Sequence, residues 1–319
     1  MSRVVALCGG IGGAKLALGL AQVVAPERLT VIVNTGDDFR HLGLHVSPDL
    51  DTVTYTLAGR ANPETGWGRA DETWRFMAAL GELGGETWFS LGDTDLATNV
   101  HRTVRLAAGD RLTEISRAVA AALGVRVDVI PATDDPLATV VETDDGPLPF
   151  QRYFVERRCA PRLTGLRYEG AEAARPTPET VAALTDAALG AVILCPSNPY
   201  LSIDPMLAIP GFRDLLAATR APKVAVSPIV GGAAVKGPLA KIMAEKGVEP
   251  SPAAVAAHYG DLLDVFVVDE ADADAPVVGA RKLVAPTVMR SLADRVALAR
   301  VVLDAAGLDA AGLDAAGPR

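Results

Sequence analysis

The chain has 319 residues, of which 50% are hydrophobic and 22% are charged, and this usage excludes a largely disordered protein. It carries 30 basic and 39 acidic residues, so its net charge of −9 argues against a general nucleic-acid-binding surface. No run of 18 apolar residues occurs and the 3 cysteines lie far apart, which argues against a membrane span and a disulfide framework.

The first elements are predicted to be a strand, a glycine-rich turn, a helix and a second strand. The strands fall at residues 4–7 and 29–33, the turn at 8–15 and the helix at 16–24. Apolar strands return at three later places, residues 191–194, 223–226 and 264–268. Continuous apolar strands that alternate with helices predict an α/β fold in which helices cover both faces of a parallel sheet.

The middle of the chain differs from its two ends in composition. It contains all three tryptophans and a helical pattern at 112–123. Apolar runs at 139–143 and 148–155 flank Asp145-Gly146 and predict a β-hairpin.

These patterns divide the chain into a core, an insertion and a tail. We expect an inserted α+β subdomain at 61–175, between two parts of one core at 1–60 and 176–307. Residues 308–319 repeat Leu-Asp-Ala-Ala-Gly and predict a low-complexity tail.

The glycine-rich turn is the first candidate binding site. A helix that begins after such a turn presents unpaired N–H groups and the positive end of its dipole, which suits phosphate. The spacing matches neither the dinucleotide nor the Walker pattern, so a tight β–α turn without a ligand stays an alternative. The candidate residues are Gly9, Gly10, Gly12, Gly13 and Lys15.

Acidic residues form the second candidate site. Asp37 and Asp38 directly follow a predicted strand, and Asp49 and Asp51 follow shortly after. Ligands of open α/β sheets gather at the carboxyl ends of strands, and carboxylates beside phosphates are typical of Mg²⁺ sites. The alternative is that Asp38 and Asp49 cap helices or turns.

Two further segments contain polar residues at the ends of predicted elements. In one, a helix starting near Asp93 would set Thr98, His101 and Arg102 near one face, and these residues with Asp93 and Asp95 could bind a polar substrate. In the other, Ser197 and Asn198 follow a strand. The alternatives are a capped helix with a solvated face and a simple β–α turn.

Two other chemistries are not expected. His41 and His45 are four positions apart but have no third ligand nearby, which argues against zinc. The order of residues matches no Ser-His-Asp triad, so covalent nucleophilic catalysis is not expected.

Together these segments resemble the 2-phospho-L-lactate transferases of deazaflavin coenzyme F-420 biosynthesis, over nearly the whole chain to about Gly307. The resemblance rests on the joint order of short motifs along the sequence. They are Gly9–Gly13, 33–38, 47–52, Trp67-Gly68, 91–93, 95–98, 131–135, Phe150-Gln151, 196–199 and 227–229.

The resemblance implies a Rossmann-like core, a reaction and a set of ligands. A guanosine diphosphate-linked C3 acid would donate its phospho-acid moiety to the ribityl hydroxyl of the 5-deazaflavin Fo, with release of GMP. Asp51 and Ser90 would contact Fo, and Asp37 with Asp51 would hold Mg²⁺. From their place at a strand end, Ser197 and Asn198 are expected to fix the guanosine side or the acyl carboxylate of the donor. We expect a cytoplasmic homodimer without nucleic-acid or membrane partners, and no residue selects among 2-phospholactate, phosphoenolpyruvate and 3-phosphoglycerate.

Two other functions are alternatives to this one. A non-catalytic nucleotide-sugar-binding regulator, similar to the gluconeogenesis-factor family, would share the fold and the glycine turn. A nicotinamide-dependent oxidoreductase is disfavoured by the irregular glycine spacing.

Overall fold

The computed structural model describes residues 2–234 and 237–308. The strands lie at Arg3–Cys8 (β1), Leu29–Val33 (β2), Phe39–His41 (β3), Leu44–Val46 (β4), Asp128–Pro131 (β5), Ala138–Thr143 (β6), Gly146–Pro149 (β7), Leu163–Glu169 (β8), Leu189–Leu194 (β9), Lys223–Val226 (β10), Ile229–Val230 (β11), Ala233–Ala234 (β12), Val265–Val268 (β13) and Arg281–Val284 (β14). The α-helices lie at Gly10–Val23 (α1), Pro48–Leu57 (α2), Arg75–Glu82 (α3), Asp93–Ala107 (α4), Leu112–Ala122 (α5), Pro178–Thr185 (α6), Asp204–Leu207 (α7), Phe212–Ala218 (α8), Leu239–Glu245 (α9), Pro252–Tyr259 (α10) and Leu292–Ala305 (α11).

Within the described residues, seven parallel strands form the main sheet in the order β14-β13-β10-β9-β1-β2-β5. All five strands that the apolar runs predict are in this sheet. The predicted parallel α/β architecture is therefore confirmed.

Successive side chains of a strand point to opposite faces of the sheet. Because both sets are apolar here, helices pack on both faces. On one face, Val4, Ala6 and Cys8 of β1 pack in a cluster that α1, α2, α5 and α11 complete. On the other face, Val5 and Leu7 pack in a cluster formed with α6 to α10. The side chains of β1 are almost entirely buried on both sides, as a central parallel strand requires.

The predicted hairpin is present, but its second strand is shorter than expected. β6 and β7 pair in antiparallel register around Asp144-Asp145, and β8 joins β6 from the other side. The strand ends at Pro149, and Arg152–Glu156 form a π-helical turn. The extension to residue 155 is wrong because a helical path buries Phe150 and Tyr153, three positions apart, in the same core cluster.

One strand of the predicted insertion belongs to the main sheet. β5 pairs in parallel with β2 of the main sheet. The prediction that residues 61–175 form a subdomain separate from the core is therefore wrong for this strand. Its apolar run is short and contains Asp128, which makes it hard to distinguish from a strand of a separate subdomain. Residues 309–319 of the predicted tail lie outside the described residues.

The first helix begins earlier than predicted. Gly9 is extended, and α1 starts at Gly10 rather than at residue 16. Glycine is a poor helix former, so the sequence pattern places these residues in a loop. The helix forms there because a glycine at position 12 lets the backbone approach Pro196, whose carbonyl oxygen lies 2.3 Å from where a Cβ would stand.

The chain adds strands to the sheet in two opposite directions, and the change of direction lies between the parallel neighbours β1 and β9. From β1 the chain adds β2 and β5 on one side, whereas β9, β10, β13 and β14 extend the other. Open α/β sheets bind ligands at such a switch point, outside the carboxyl ends of the strands.

Candidate active site

A cavity of about 710 Å³ lies at this switch point. Its walls come from the turns after β1 and β9, from α2 and the start of α4, and from several loops. Gly9 lines it from the turn before α1, and Gly10, Gly12 and Lys15 line it from α1 itself. Ser197 and Asn198 line it from the turn after β9. Asp37, Asp51, Ser90 and Asp95 line the remaining walls together with Asp49. The structure thus brings most of the predicted site residues to one cavity.

Hydrogen bonds join the turns after β1 and β9. The Gly9 N–H donates to the Ser197 hydroxyl oxygen at 3.1 Å, and this hydroxyl donates to the Gly9 carbonyl oxygen at 3.0 Å. The Asn198 side chain accepts from the N–H groups of Tyr200 and Leu201 and caps the short helix that follows. Ser197 and Asn198 therefore also fix the shape of the wall that they form.

The glycines of the turn have different roles. The Gly10 N–H donates to Asp49 Oδ1 at 2.8 Å, so a carboxylate already occupies this donor. Gly13 does not line the cavity: a Cβ there would lie 2.7 Å from the Ser197 hydroxyl and 2.8 Å from Cys8 Sγ. The prediction that Gly13 contacts a ligand is corrected, because this residue permits close packing beneath the turn.

One asparagine organises the carboxylates after β2. The buried Asn34 amide group donates to Asp37 Oδ1 at 3.3 Å and to Asp49 Oδ2 at 2.9 Å. Burial and the charges of Asp49 and Asp38 raise the pKa of Asp37 well above its usual range, although the bond from Asn34 opposes this. Burial also raises the pKa of Asp49 to about 6, against the hydrogen bonds from Asn34 and Gly10.

A second pair of carboxylates lies along α2 and α4. Arg102, which is almost fully buried, forms an ion pair with Asp51. Burial raises the pKa of Asp51, and the positive charge of Arg102 opposes that rise. The Tyr55 hydroxyl donates to Asp95 Oδ1 at 2.7 Å. Burial and the negative charge of Asp51 raise the pKa of Asp95 to about 7.

The donor set suits a cation that shares its coordination with a substrate. In residues 2–234 and 237–308, no three His, Cys, Asp or Glu side chains form a complete metal site. Asp37 and Asp49 nevertheless both accept a hydrogen bond from the Asn34 amide group. The negative charge of Asp49 also contributes to the raised pKa of Asp37. Two such carboxylates fit Mg²⁺, which is commonly held by one or two carboxylates with phosphate and water as the other ligands.

Three residues predicted to contact the acceptor do not line the cavity. Asp93 accepts hydrogen bonds from the N–H groups of Arg75 and Phe76 and caps the start of α3. Thr98 is buried inside the protein, and His101 is exposed to solvent. The helix predicted near Asp93 is confirmed, but its turn of 100° per residue directs Asn99 and Arg102 inward and His101 outward.

Sequence reasoning missed most of the aromatic wall. The aromatic residues that line the cavity are Tyr55, Trp67, Trp88, Phe89, Phe150 and Phe154. The Arg152 guanidinium lies 4.3 Å from the centre of the Trp88 ring, and Glu86 accepts from the indole N–H at 3.0 Å. Trp67 and Trp88 line this cavity, and Trp74 does not.

Sequence reasoning also missed the wall beside Lys15, apart from Ser227, which lies in one of the family motifs. Ser227, Thr287, Met289 and Arg290 line it, and each follows a strand of the main sheet in the chain. The Lys15 ammonium donates to the Met289 carbonyl oxygen at 3.0 Å. Their position after β10 and β14 is the signal that identifies them, because the carboxyl ends of parallel strands share one edge.

Among the described residues, no helix is both long and apolar enough to cross a membrane. Solved structures of similar fold include a member of the UPF0052 family from Bacillus halodurans. It matches with a TM-score of 0.59 and 17% identity, over 95% of this chain and 98% of that one. This likeness shows the fold alone.

Sequence comparisons identify the family. The family model of 2-phospho-L-lactate transferase CofD matches residues 4–303. A phosphoenolpyruvate transferase of Kitasatospora aureofaciens is 44% identical over 86% of this chain and 87% of the relative. A 2-phospho-L-lactate transferase of Methanopyrus kandleri is 41% identical over 93% of this chain and 96% of the relative.

These matches agree with the resemblance seen in the motifs and do not favour the regulator of the gluconeogenesis-factor family. The cavity at the switch point is accordingly the candidate active site of a transferase. The chain belongs to the 2-phospho-L-lactate transferase family of coenzyme F-420 biosynthesis.

Proposed function

We propose that this protein transfers a phospho-C3-acid moiety from a guanosine diphosphate-linked donor to the ribityl hydroxyl of Fo. The hydroxyl oxygen attacks the phosphorus next to the C3 acid, and the bond from that phosphorus to the oxygen of the departing GMP breaks. A phosphodiester forms, GMP leaves, and the hydroxyl proton is released. The observation that carries the proposal is that one cavity contains the start of α1, a group of carboxylates and an aromatic wall.

The start of α1 and Lys15 form the donor end of the cavity in this proposal. The Gly10 N–H is taken by Asp49, but α1 has no acidic residue of its own in its first turn, and the N–H groups that follow Gly10 suit phosphate. The Lys15 ammonium, held by the Met289 carbonyl, adds a positive charge beside them. Phosphoryl transfer depends on this positioning and on neutralisation of charge rather than on a covalent intermediate.

The aromatic wall forms the acceptor end. Trp67 and Phe154 are 48% and 40% exposed although both line the cavity, so their rings are available to a planar tricyclic ligand. Asp51 and Ser90 line the same cavity and would hydrogen-bond the acceptor. This arrangement supports an Fo site of aromatic faces with a few polar groups.

The shared Asn34 amide favours Asp37 together with Asp49 as the ligands of Mg²⁺. Asp51 was expected to share this role, but its charge is already balanced by Arg102. When bound there, Mg²⁺ would neutralise charge on the phosphoryl oxygens. Asp37 and Asp49 would orient the donor through it, while Asp51 faces the acceptor.

Relatives named phosphoenolpyruvate transferase support phosphoenolpyruvate as the C3 acid. Bacterial relatives named phosphoenolpyruvate transferase are 42–45% identical to this chain. Archaeal relatives named 2-phospho-L-lactate transferase are 38–41% identical. We propose that the enolpyruvyl donor is the preferred one.

Product analysis tests the reaction and the donor together. The protein is incubated with Mg²⁺, Fo and equal amounts of the three guanosine diphosphate-linked acids, and the products are separated by mass spectrometry. We expect GMP and a dominant enolpyruvyl phosphodiester, and loss of both when EDTA removes Mg²⁺. Absence of any phosphodiester contradicts the proposed function, whereas a dominant lactyl or glyceryl product contradicts only the choice of acid.

The expected homodimer is proposed on the ground that two-fold dimers are the commonest oligomers. Light scattering after size-exclusion chromatography measures the mass directly. A mass of one chain, 33.1 kDa, contradicts the dimer. The cytoplasmic location also stays a prediction, which cell fractionation tests.

A further inference from the structure

Arg290 contributes a positive charge to the cavity that no motif in the sequence predicts. It lies between β14 and α11, lines the cavity, and its side chain is exposed. The Arg290 N–H donates to Asp294 Oδ2 at 2.9 Å, which fixes the backbone just before α11. Within the described part of the chain, the guanidinium group forms no ion pair with any carboxylate. Hydrogen bonds from the Ser291 and Arg290 N–H groups lower the pKa of Asp294 in the first turn of α11, and the Arg290 charge also helps to lower it, but this charge is not neutralised there by an ion pair.

The backbone contact of Lys15 brings Arg290 to the start of α1. The Lys15 ammonium donates to the carbonyl oxygen of Met289, which directly precedes Arg290. Asp269 holds the same segment, because it accepts from the Thr287 N–H at 2.8 Å and from the Thr287 hydroxyl at 2.9 Å. The segment is thus fixed at both ends, and two cations line one wall near the helix N-terminus.

Most acidic residues of the cavity belong to other walls, but Asp49 accepts from the Gly10 N–H at the start of α1. Asp37 and Asp49 are linked through Asn34, and Asp51 is paired with Arg102. The cavity is therefore divided between a wall with Lys15 and Arg290 and walls with carboxylates. A ligand that carries several negative charges at one end fits this division in one orientation only.

We infer that the Arg290 guanidinium binds the diphosphate of the nucleotide donor, beside Lys15 and the N–H groups of the first turn of α1 that follow Gly10. The inference rests on the proposed function. The planar guanidinium presents paired N–H donors that match two oxygens of a phosphate group, which an ammonium group cannot do. Arg290 thereby sets the direction in which the donor lies, with its reactive phosphorus toward the carboxylates.

Calorimetric titration with GDP, GMP and guanosine tests this role. We expect Arg290→Ala to weaken GDP binding by about 10- to 100-fold, the range for a lost hydrogen bond to a charged group. The loss should be smaller for GMP and absent for guanosine, and Arg290→Lys should fall between wild type and Arg290→Ala. In turnover, the KM for the donor should rise more than the KM for Fo.

Arg300→Ala is the matched control, because Arg300 is an exposed arginine on α11 that does not line the cavity. GDP affinity within twofold of wild type in Arg290→Ala, or an equal loss in Arg300→Ala, overturns the inference. Weaker binding of the complete donor with unchanged GDP affinity also overturns it, since the guanidinium would then contact the C3 carboxylate. Failure of the wild-type protein to form product contradicts the proposed function instead, whatever the variants show.

Discussion

The Asp51 carboxylate lines the cavity, and Arg102 balances its negative charge inside the protein. This carboxylate pairs with the buried Arg102, 51 positions away in the chain. The sequence indicates that Asp51 is functional but contains no sign of this pairing, because nothing local links the two residues. A variant at this position therefore changes stability as well as chemistry.

Asp51→Ala leaves the Arg102 charge buried and unpaired, which should cost about 3–5 kcal/mol of stability. We expect a clear fall in the melting temperature together with loss of turnover. The double variant Asp51→Ala/Arg102→Met removes both charges and should recover much of the stability but none of the activity. Activity in this double variant at near the wild-type level contradicts a role for Asp51 in the reaction.

Asp95 is predicted to make stability depend on pH. Its folded pKa is about 7, against an ordinary value of 3.8, so between these values only the folded protein holds the proton. The contribution of Asp95 to stability is full below about pH 4 and is lost as the pH rises to about 7. Urea unfolding between pH 5 and pH 8 should show this decline in the wild type and a flatter curve in Asp95→Asn.

The control for that experiment is Asp93→Asn. Hydrogen bonds from the Thr73 hydroxyl and the Phe76 N–H lower the pKa of Asp93, so its titration falls below this pH range. Its effect on stability should therefore be the same at every pH measured. A decline in Asp95→Asn as steep as in the wild type contradicts the prediction.

At the scale of elements, the sequence predicts strands well and helix starts poorly. Apolar runs identify β1, β2, β9, β10 and β13, because a buried strand has few alternatives. The start of α1 depends instead on the close approach of Gly12 to Pro196 in the turn after β9. These two residues are 184 positions apart in the chain. Likewise, the aromatic wall comes from separate loops whose meeting no local pattern reveals.

Gly12→Ala tests whether this close approach requires a glycine. The added Cβ would lie 2.3 Å from the Pro196 carbonyl oxygen, so we expect a loss of about 1–3 kcal/mol from overpacking and weaker GDP binding. Gly81→Ala is the matched control, since this glycine lies within α3 and its Cβ would meet only Thr87 at 3.7 Å. There we expect a gain of roughly 0.5–1 kcal/mol. Equal stability of the two variants in urea unfolding contradicts this account.

At the scale of the whole molecule, the inserted segment and the core share a sheet. The change in composition near residues 60 and 175 is visible in the sequence, but β5 from within that span completes the edge beside β2. Leu112 and Ala120 of α5 also belong to the core cluster beneath α1. The insertion is therefore part of the structural core and not an appendage.

Replacement of residues 61–175 by a glycine–serine linker should abolish cooperative folding. The change removes β5 and α5 and exposes apolar side chains of β2 and α1. We expect no single urea transition and strong binding of a dye that reports exposed apolar surface. A cooperative transition of the shortened chain, with that dye excluded, would show that the core folds without the insertion.

The aromatic wall also makes the protein its own optical probe. Of its three tryptophans, Trp67 and Trp88 line the cavity, while Trp74 lines only a smaller pocket nearby. Indole emission responds to an aromatic molecule stacked against the ring, so occupancy of the acceptor end can be followed without a label. Because Trp67 is exposed whereas Trp88 is held by Arg152 and Glu86, single tryptophan-to-phenylalanine variants would report the contact of the ligand with each ring separately.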